Sequence, residues 1–346
     1  EIVYFQIICL GGGPYIASYA LSGFYSGRGR TWPVMWVNIF ATAVNLILDY
    51  ALIFGHWGFP EMGIKGAGIA TVMAGIFSLL AFFVLISTGA YDETYHTIKG
   101  WRPEKKLFVR LLRFGVPSGV QFFLEMVGFT AFVLLVGRLG TISLAATNIA
   151  FNINTLAFMP MIGCGIAISM LVGQYLGADK PDLAQTSAYS GFHLTFAYMT
   201  SIAAAYLLLP NIFVTPFALQ ADPQGFSEIY RYCIILLRFV AVYSIFDTMN
   251  IIFCSAIKGA GDTRFVMFMT VILSLFVLIV PTYLAIVVFE YGLMISWLLA
   301  TIYVIILSVA FYFRFLNGKW KTMRVIEHAP QPPSPGIVKW GRNVKL

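Results

Sequence analysis

Three carboxylates, Asp49, Glu125 and Asp247, fall near the middle of long apolar stretches, and no Lys or Arg shares their depth in the sequence. The other 12 of the chain's 15 acidic residues lie between such stretches, at their ends or in the C-terminal segment. An ionisable group at bilayer depth is costly and marks an ion or substrate pathway. Two chemistries suit it. A buried carboxylate can load and release a proton, or carboxylate, amide and phenol oxygens can together replace the water around Na⁺. The neighbours of the acids support either. Asn38, Thr42, Asn45 and Asp49 recur at +4, +3, +4, and Tyr243, Asp247, Asn250 and Cys254 repeat that spacing, which puts each set on one helix face. Gln121 lies one turn before Glu125, and Asn148, Asn152 and Thr155 form a further stripe. Gln121, Asn148, Asn152 and Asn250 are candidates to line a substrate cavity. For Asn38, Thr42, Asn148 and Thr155 the competing role is hydrogen bonding between helices, which small polar residues perform routinely in membranes.

The elements that must position these side chains are transmembrane helices. The chain of 346 residues is 59% hydrophobic and 11% charged, with a mean hydropathy of +0.83, too little polar surface for a soluble domain. Apolar runs of helix-spanning length recur at roughly 2–26, 33–55, 64–88, 108–138, 141–175, 185–209, 229–257, 264–288 and 291–315. Lipid offers no partners to open backbone groups, so the expected fold is an all-α integral membrane protein of about nine transmembrane helices. Gly11-Gly12-Gly13-Pro14, Pro117 with Gly119, and Pro160 with Gly163 and Gly165 are expected to interrupt or bend the first, fourth and fifth helices.

The net charge of +7 reflects topology, not a nucleic-acid partner. Arg28 and Arg30, the run from Lys99 to Arg113, Lys180, Lys258, Arg264, and Arg314 to Arg324 all fall on one side if the helices alternate. By the positive-inside pattern that side is cytoplasmic, and the C-terminus lies there. Cys9, Cys164, Cys233 and Cys254 are scattered without paired spacing and read as small apolar packing residues.

Gly27-Arg28-Gly29-Arg30-Thr31-Trp32-Pro33-Val34-Met35 aligns with Gly259-Ala260-Gly261-Asp262-Thr263-Arg264-Phe265-Val266-Met267 as G-x-G-x-T-x-x-V-M, and Gly63-Ile64 resembles Gly292-Leu293. Two matches in order indicate an internal duplication. They divide the chain into a partial N-lobe of three helices (1–88), a cytoplasmic connector (89–107), a six-helix C-lobe (108–317) and a Pro-rich, disordered tail (318–346). Repeat symmetry then predicts roughly 125 residues, three helices, ahead of residue 1.

The chain resembles the MATE (multidrug and toxic compound extrusion) family over about residues 1–317. The resemblance rests on S-G-R-G-R-T-W-P-V-M (26–35), N-L-I-L-D-Y-A-L-I-F-G (45–55), G-I-K-G-A-G-I-A-T (63–71), F-G-V-P-S-G (114–119), V-G-R-L-G-T-I-S-L-A-A (136–146), V-G-Q-Y-L-G-A (172–178) and K-G-A-G-D-T-R (258–264). It implies two six-helix lobes around a cavity of alternating access, no enzymatic activity and no cofactor. It also implies export of organic cations and drugs in exchange for Na⁺ or H⁺, by a monomer in the bacterial plasma membrane. Carried over by position, Glu125, Tyr243 and Asp247 resemble the family's C-lobe cation site, and Asp49, Asn45 and Thr71 a second site in the N-lobe. The family's N-lobe site also uses an Asp on a first helix that has no counterpart here. A lipid-linked oligosaccharide flippase of the same superfamily is the alternative, for which Arg or Lys in the cavity would be expected. A remote one is an intramembrane aspartyl protease using Asp247 and the Gly259-Ala260-Gly261-Asp262 segment, whose two acids would share a proton.

Overall fold

The computed structural model describes residues 2–87, 104–218 and 223–323, and is all-helical with no strand among them. The helices are α1 (Ile2–Ser26), α2 (Thr31–Phe54), α3 (Ile64–Ser87), α4 (Lys105–Gly137), α5 (Thr141–Gly177), α6 (Pro181–Leu208), the short α7 (Pro210–Ala218), α8 (Pro223–Gly259), α9 (Thr263–Val288) and α10 (Leu293–Leu316). Among the described residues nine of these, all but α7, are long and apolar enough to cross a membrane. The chain is an all-α membrane protein. It divides into two compact units, Glu1–Val116 and Pro117–Leu346, with the division inside α4. Residues 89–103 of the expected connector lie outside the described residues, and its last residues, from Lys105, already belong to α4.

In the first unit α3 packs against both α1 and α2. Small residues make this possible, since apolar side chains gain little from leaving lipid and packing must come from close backbone approach. A Cβ on Gly66 would fall 2.6 Å from the Leu52 carbonyl oxygen, and one on Gly75 3.0 Å from the Tyr15 ring. Gly11 abuts Val72 in the same way.

In the second unit α8 is the axis, packed by α5, α6 and α10. It runs beside α5 in the same direction: Asn154 meets Tyr243, Gly165 meets Ser255, and Gly173 meets Gly259. Two apolar cores form around it. One centres on Phe132, Ile153, Met199, Leu236 and Trp297, the other on Val172, Phe253, Ile257, Phe311 and Phe315. The second lies toward what is here termed the basic end of the unit, where Lys180, Lys258, Arg264, Arg314, Lys319 and Lys321 gather.

The expected helix breaks do not occur. Pro14, Pro117 and Pro160 each sit inside an unbroken helix. Lipid cannot satisfy a freed backbone carbonyl, so helical pairing is kept around each Pro. The irregularity appears in α9 instead, where Ser274–Ile279 and Leu284–Val288 are wide, π-helical turns on either side of Pro281. Pro281 has no N–H to donate and crowds the carbonyl one turn back, and widening the turn relieves both faults.

The two repeat turns coincide bond for bond at their centres. Gly29 N–H donates to the Ser26 carbonyl (2.9 Å) and Arg30 N–H to that of Tyr25 (3.0 Å). At the matching positions Gly261 N–H donates to Lys258 (2.9 Å) and Asp262 N–H to Ile257 (3.1 Å). Gly29 and Gly261 have φ of 72° and 94°, a conformation costly for any residue with a Cβ, which is why each repeat keeps a glycine there. The partners after the glycine differ: Asp262 is bonded to Arg314 at 2.6 and 2.8 Å, and Arg314 also stacks over Phe265.

The expectation of a disordered tail from 318 fails for its first six residues. Gly318 turns the chain, Lys319–Thr322 form a 3₁₀ turn, and Trp320 is buried on Phe315, donating its indole N–H to the Phe315 carbonyl (2.7 Å). A Trp beside a Gly is enough to fold such a segment back on the helix it leaves, because the ring hides a large apolar area. Residues 324–346 lie outside the described residues.

Candidate functional site

Trp297 of α10 fixes the level of four helices in the second unit. It is 1% exposed, stacks on Phe151 of α5 at 5.0 Å, and meets the rings of Phe132 (α4) and Tyr243 (α8) at 6.2 and 6.5 Å. Its indole N–H donates to Thr147 Oγ1 (3.2 Å), the partner a buried Trp requires. Phe132 and Tyr243 thus meet the same ring, and the carboxylates lie on the basic-end side of both. Asp247 is four residues beyond Tyr243 along α8, and Glu125 seven residues from Phe132 along the antiparallel α4. Because the two rings lean in opposite directions on antiparallel helices, these offsets bring Glu125 and Asp247 to similar heights.

Asp247 is buried and accepts a hydrogen bond from Asn250 Nδ2 at 2.8 Å. Glu125 is half-buried and accepts from Gln121 Nε2 at 2.7 Å, while Gln121 Oε1 is buried without a hydrogen-bond partner among the described residues. The two acids lie within electrostatic reach of each other. Tyr243 is held by Asn154 of α5, whose Nδ2 donates to the phenol oxygen (3.1 Å) and whose Oδ1 accepts from Ser244 (3.4 Å). Tyr303 of α10 packs against both apolar cores and lies within reach of both carboxylates, with Ser274 of α9 beside it. Ser274 Oγ in turn lies where a Cβ on Gly128 of α4 would fall, 2.5 Å away. The cluster thus sits at the seam between the two cores, with oxygens from α4, α5, α8, α9 and α10.

Of the residues singled out from the sequence, Gln121, Glu125, Tyr243, Asp247 and Asn250 are brought together. Asn148 and Asn152 are not: both are exposed on the opposite face of α5, along with Thr155, which bonds its own helix at the Phe151 carbonyl (2.8 Å). The physical reason is register. Residues 146, 150, 154, 157 and 161 form the buried stripe of α5, and Asn154 alone among the helix's Asn residues falls on it. That register could have been read from the small residues Ala146, Ala150 and Ala157. Nothing in the apolar sequence of α10 marked Tyr303, and Ser274 carries no spacing signal.

In the first unit Asn45 Nδ2 and Asp49 Oδ1 are each buried without a hydrogen-bond partner among the described residues, one turn apart on α2. Thr71 of α3 instead donates to its own helix at Ala67 (3.0 Å). Buried polar atoms are nearly always paired, so the unspent donor and acceptor of Asn45 and Asp49 mark the position.

A family model, MatE, matches residues 117–284, the span that carries Glu125, Tyr243, Asp247 and Ser274. Across that span the chain is similar to the MATE family. Curated relatives include the probable multidrug resistance protein NorM of Pseudomonas putida, 33% identical over 251 residues, which are 72% of this chain and 54% of that protein. The protein of the same description from Thermotoga maritima is 28% identical over 330 residues, 93% of this chain and 68% of its own length. The chain thus spans about half the length of the first of these MATE relatives. Among solved structures, a MATE in complex with MaL6 superposes with a TM-score of 0.81 at 17% identity over 92% of this chain and 70% of that one. An outward-facing multidrug resistance MATE family transporter of the MOP superfamily gives 0.80 at 17% identity, covering 93% and 70%. The family is one of transporters, and the protease reading falls with it. Asp262 is occupied by Arg314, and roughly 18 Å of helix separates Asp247 from the end of α8. A cavity of about 330 Å³ lined by Leu139, Ser143, Tyr232 and Gly292–Ile295 belongs to the other end of the unit. Tyr232 is fifteen residues before Asp247, about 22 Å along α8, so this cavity is separate from the carboxylate cluster.

Proposed function

We propose that this chain serves a cation-coupled exporter of organic cations and drugs, working by alternating access. Glu125, Asp247 and Tyr243 bind the coupling ion, Na⁺ or H⁺, and Gln121 and Asn250 orient the two carboxylates. The observation that carries this reading is the pair of acids on facing helices, within reach of each other beside a phenol that Asn154 holds in place. Two neighbouring carboxylates repel unless a cation joins them, so the site is built to gain from binding one. Oxygens of carboxylate, phenol and amide suit a hard cation, and the same carboxylates suit a proton. Each charge moved across 100 mV supplies about 2.3 kcal/mol, enough to sustain roughly a fifty-fold gradient of substrate.

Asp49, Asn45 and, less directly, Thr71 form a second cation site in this proposal, supported by the unpartnered atoms of the first two. Asn148 and Asn152, on the exposed face of α5, line the substrate path. The protein is a monomer of the bacterial inner membrane, with the basic end and the C-terminus cytoplasmic by the positive-inside pattern.

The test is uptake of a fluorescent organic cation into everted vesicles under an imposed Na⁺ or H⁺ gradient. It compares the chain fused to the three N-terminal helices of a MATE relative with the same protein carrying Glu125→Gln. Gradient-driven uptake abolished by the substitution is expected, and the effective ion identifies the coupling. Uptake that is indifferent to Glu125→Gln would overturn the assignment.

A further inference from the structure

Gln121 is enclosed with only one end of its amide paired. It is 2% exposed and lies on the buried stripe of α4 with Pro117, Gly128, Phe132 and Val136. Gly128 and Phe132 meet Ser274 of α9 and Trp297 of α10, so Gln121, two turns before Gly128, lies on the inward face of its helix. Its Nε2 donates to Glu125 Oε1 at 2.7 Å, while its Oε1 has no hydrogen-bond partner among the described residues. Charge decides this orientation: turned over, the amide would set its own oxygen 2.7 Å from an ionised carboxylate oxygen. A buried carbonyl left unpaired is costly, and such groups are nearly always satisfied.

A proton on Glu125 cannot serve both ends of this amide. As the amide stands, Nε2 keeps its acceptor and Oε1 stays unpaired. Turned over, Oε1 accepts the new O–H and Nε2 is left where Oε1 was, with nothing to donate to. A metal cation leaves the Nε2 bond intact and gives Oε1 a partner as well. The geometry admits one. Whichever amide hydrogen is used, Gln121 Oε1 lies about 3.5–4.8 Å from Glu125 Oε1. Two oxygens that share a hard cation at about 2.4 Å each stand no more than about 4.8 Å apart. The titratable groups around Glu125 and Asp247 are Tyr243 and Cys254 of α8 and Tyr303 of α10, with Lys258 further along α8. None of them donates to Gln121 Oε1.

We propose that Gln121 is a specificity-determining ligand: its side-chain carbonyl coordinates the coupling ion beside Glu125 and sets the site for Na⁺ over H⁺. This rests on the exporter reading above and deepens it by naming the ion. Gln121 then does two things at once. Its N–H end holds the carboxylate in place, and its oxygen joins those of Glu125, Asp247 and Tyr243 around the cation.

The test is saturation binding of radioactive Na⁺ to the full chain in detergent at mildly alkaline pH, with Glu125→Gln in parallel to separate this site from any Na⁺ held near Asp49. Gln121→Met should weaken the Glu125-dependent binding by roughly ten- to a hundredfold, the loss of one bond to a charged group. If the Met variant does not elute as a single species, Gln121→Asn decides, since it keeps the amide but withdraws the carbonyl by one methylene. Infrared difference spectra of the chain with and without Na⁺ separate a ligand from a residue that only positions Glu125. A coordinated carbonyl is polarised, so a side-chain amide band should move to lower frequency on adding Na⁺ and be missing from Gln121→Met. Unchanged Na⁺ binding in Gln121→Met, or no amide band that responds to Na⁺, overturns the proposal. Wild type that binds no Na⁺, while the fused protein takes up dye on a proton gradient, overturns it and leaves the exporter reading standing. No uptake on either gradient fails the exporter reading and this inference together.

Discussion

The Asp262–Arg314 pair offers the sharpest quantitative check on the fold around the site. Arg314 donates through both Nε and Nη2 to a single Asp262 oxygen, at 2.8 and 2.6 Å, with side-chain exposures of 18% and 9%. It is the tie between the start of α9 and the end of α10, on the two helices that supply Ser274 and Tyr303. Arg314→Met strands the Asp262 carboxylate, which costs about 3 kcal/mol for a pair this buried, and forfeits about 0.5–1 kcal/mol of attraction to the Phe265 ring. Asp262→Asn removes the charge but keeps a hydrogen-bond acceptor, and should cost about 2 kcal/mol. The double variant has no stranded charge, so its cost should fall short of the summed singles by about 2 kcal/mol. The assay is denaturant titration of the purified chain in one fixed detergent, with the four forms in parallel. Costs that simply add, to within about 0.5 kcal/mol, would refute the view that the pair is a coupled, desolvated tie. Asp262→Asn should also retain the substrate-binding pattern of wild type, because the residue ties helices together and lies outside the proposed cation site.

Two further outcomes follow from packing and hydrogen bonding. Gly259→Ala should destabilise by about 1–3 kcal/mol, since its Cβ would collide with the Ser169 carbonyl, whereas Gly163→Ala, with nothing within 4 Å, should be neutral or slightly stabilising in the same titration. Asn154→Leu should weaken binding of the coupling ion by roughly five- to thirty-fold by releasing the Tyr243 hydroxyl, read as a shift in the ion concentration for half-maximal gradient-driven uptake; an unchanged curve would remove Asn154 from the site.

The nine spans among the described residues and their all-helical character follow from composition, and the mid-span acids stood out by their place within apolar runs. Hydrocarbon leaves the backbone few options, so length and hydropathy suffice to define the spans. Tyr243, Asp247 and Asn250 were legible as a stripe because a helix face is a local property, set by residues three and four apart. The repeat was legible for a similar reason: a left-handed turn demands glycine at Gly29 and Gly261 whatever surrounds it. What spacing could not supply was which stripe faces which. Asn152 and Asn154 are two residues apart and lie on opposite sides of α5, one exposed and one bonded to Tyr243, a choice made by the Ala-lined contact with α8. Tyr303 and Ser274 join the carboxylate cluster only through tertiary structure. Their distance from Glu125 is set by helix heights and by the opposite lean of side chains on antiparallel helices, and a linear chain carries no local record of either.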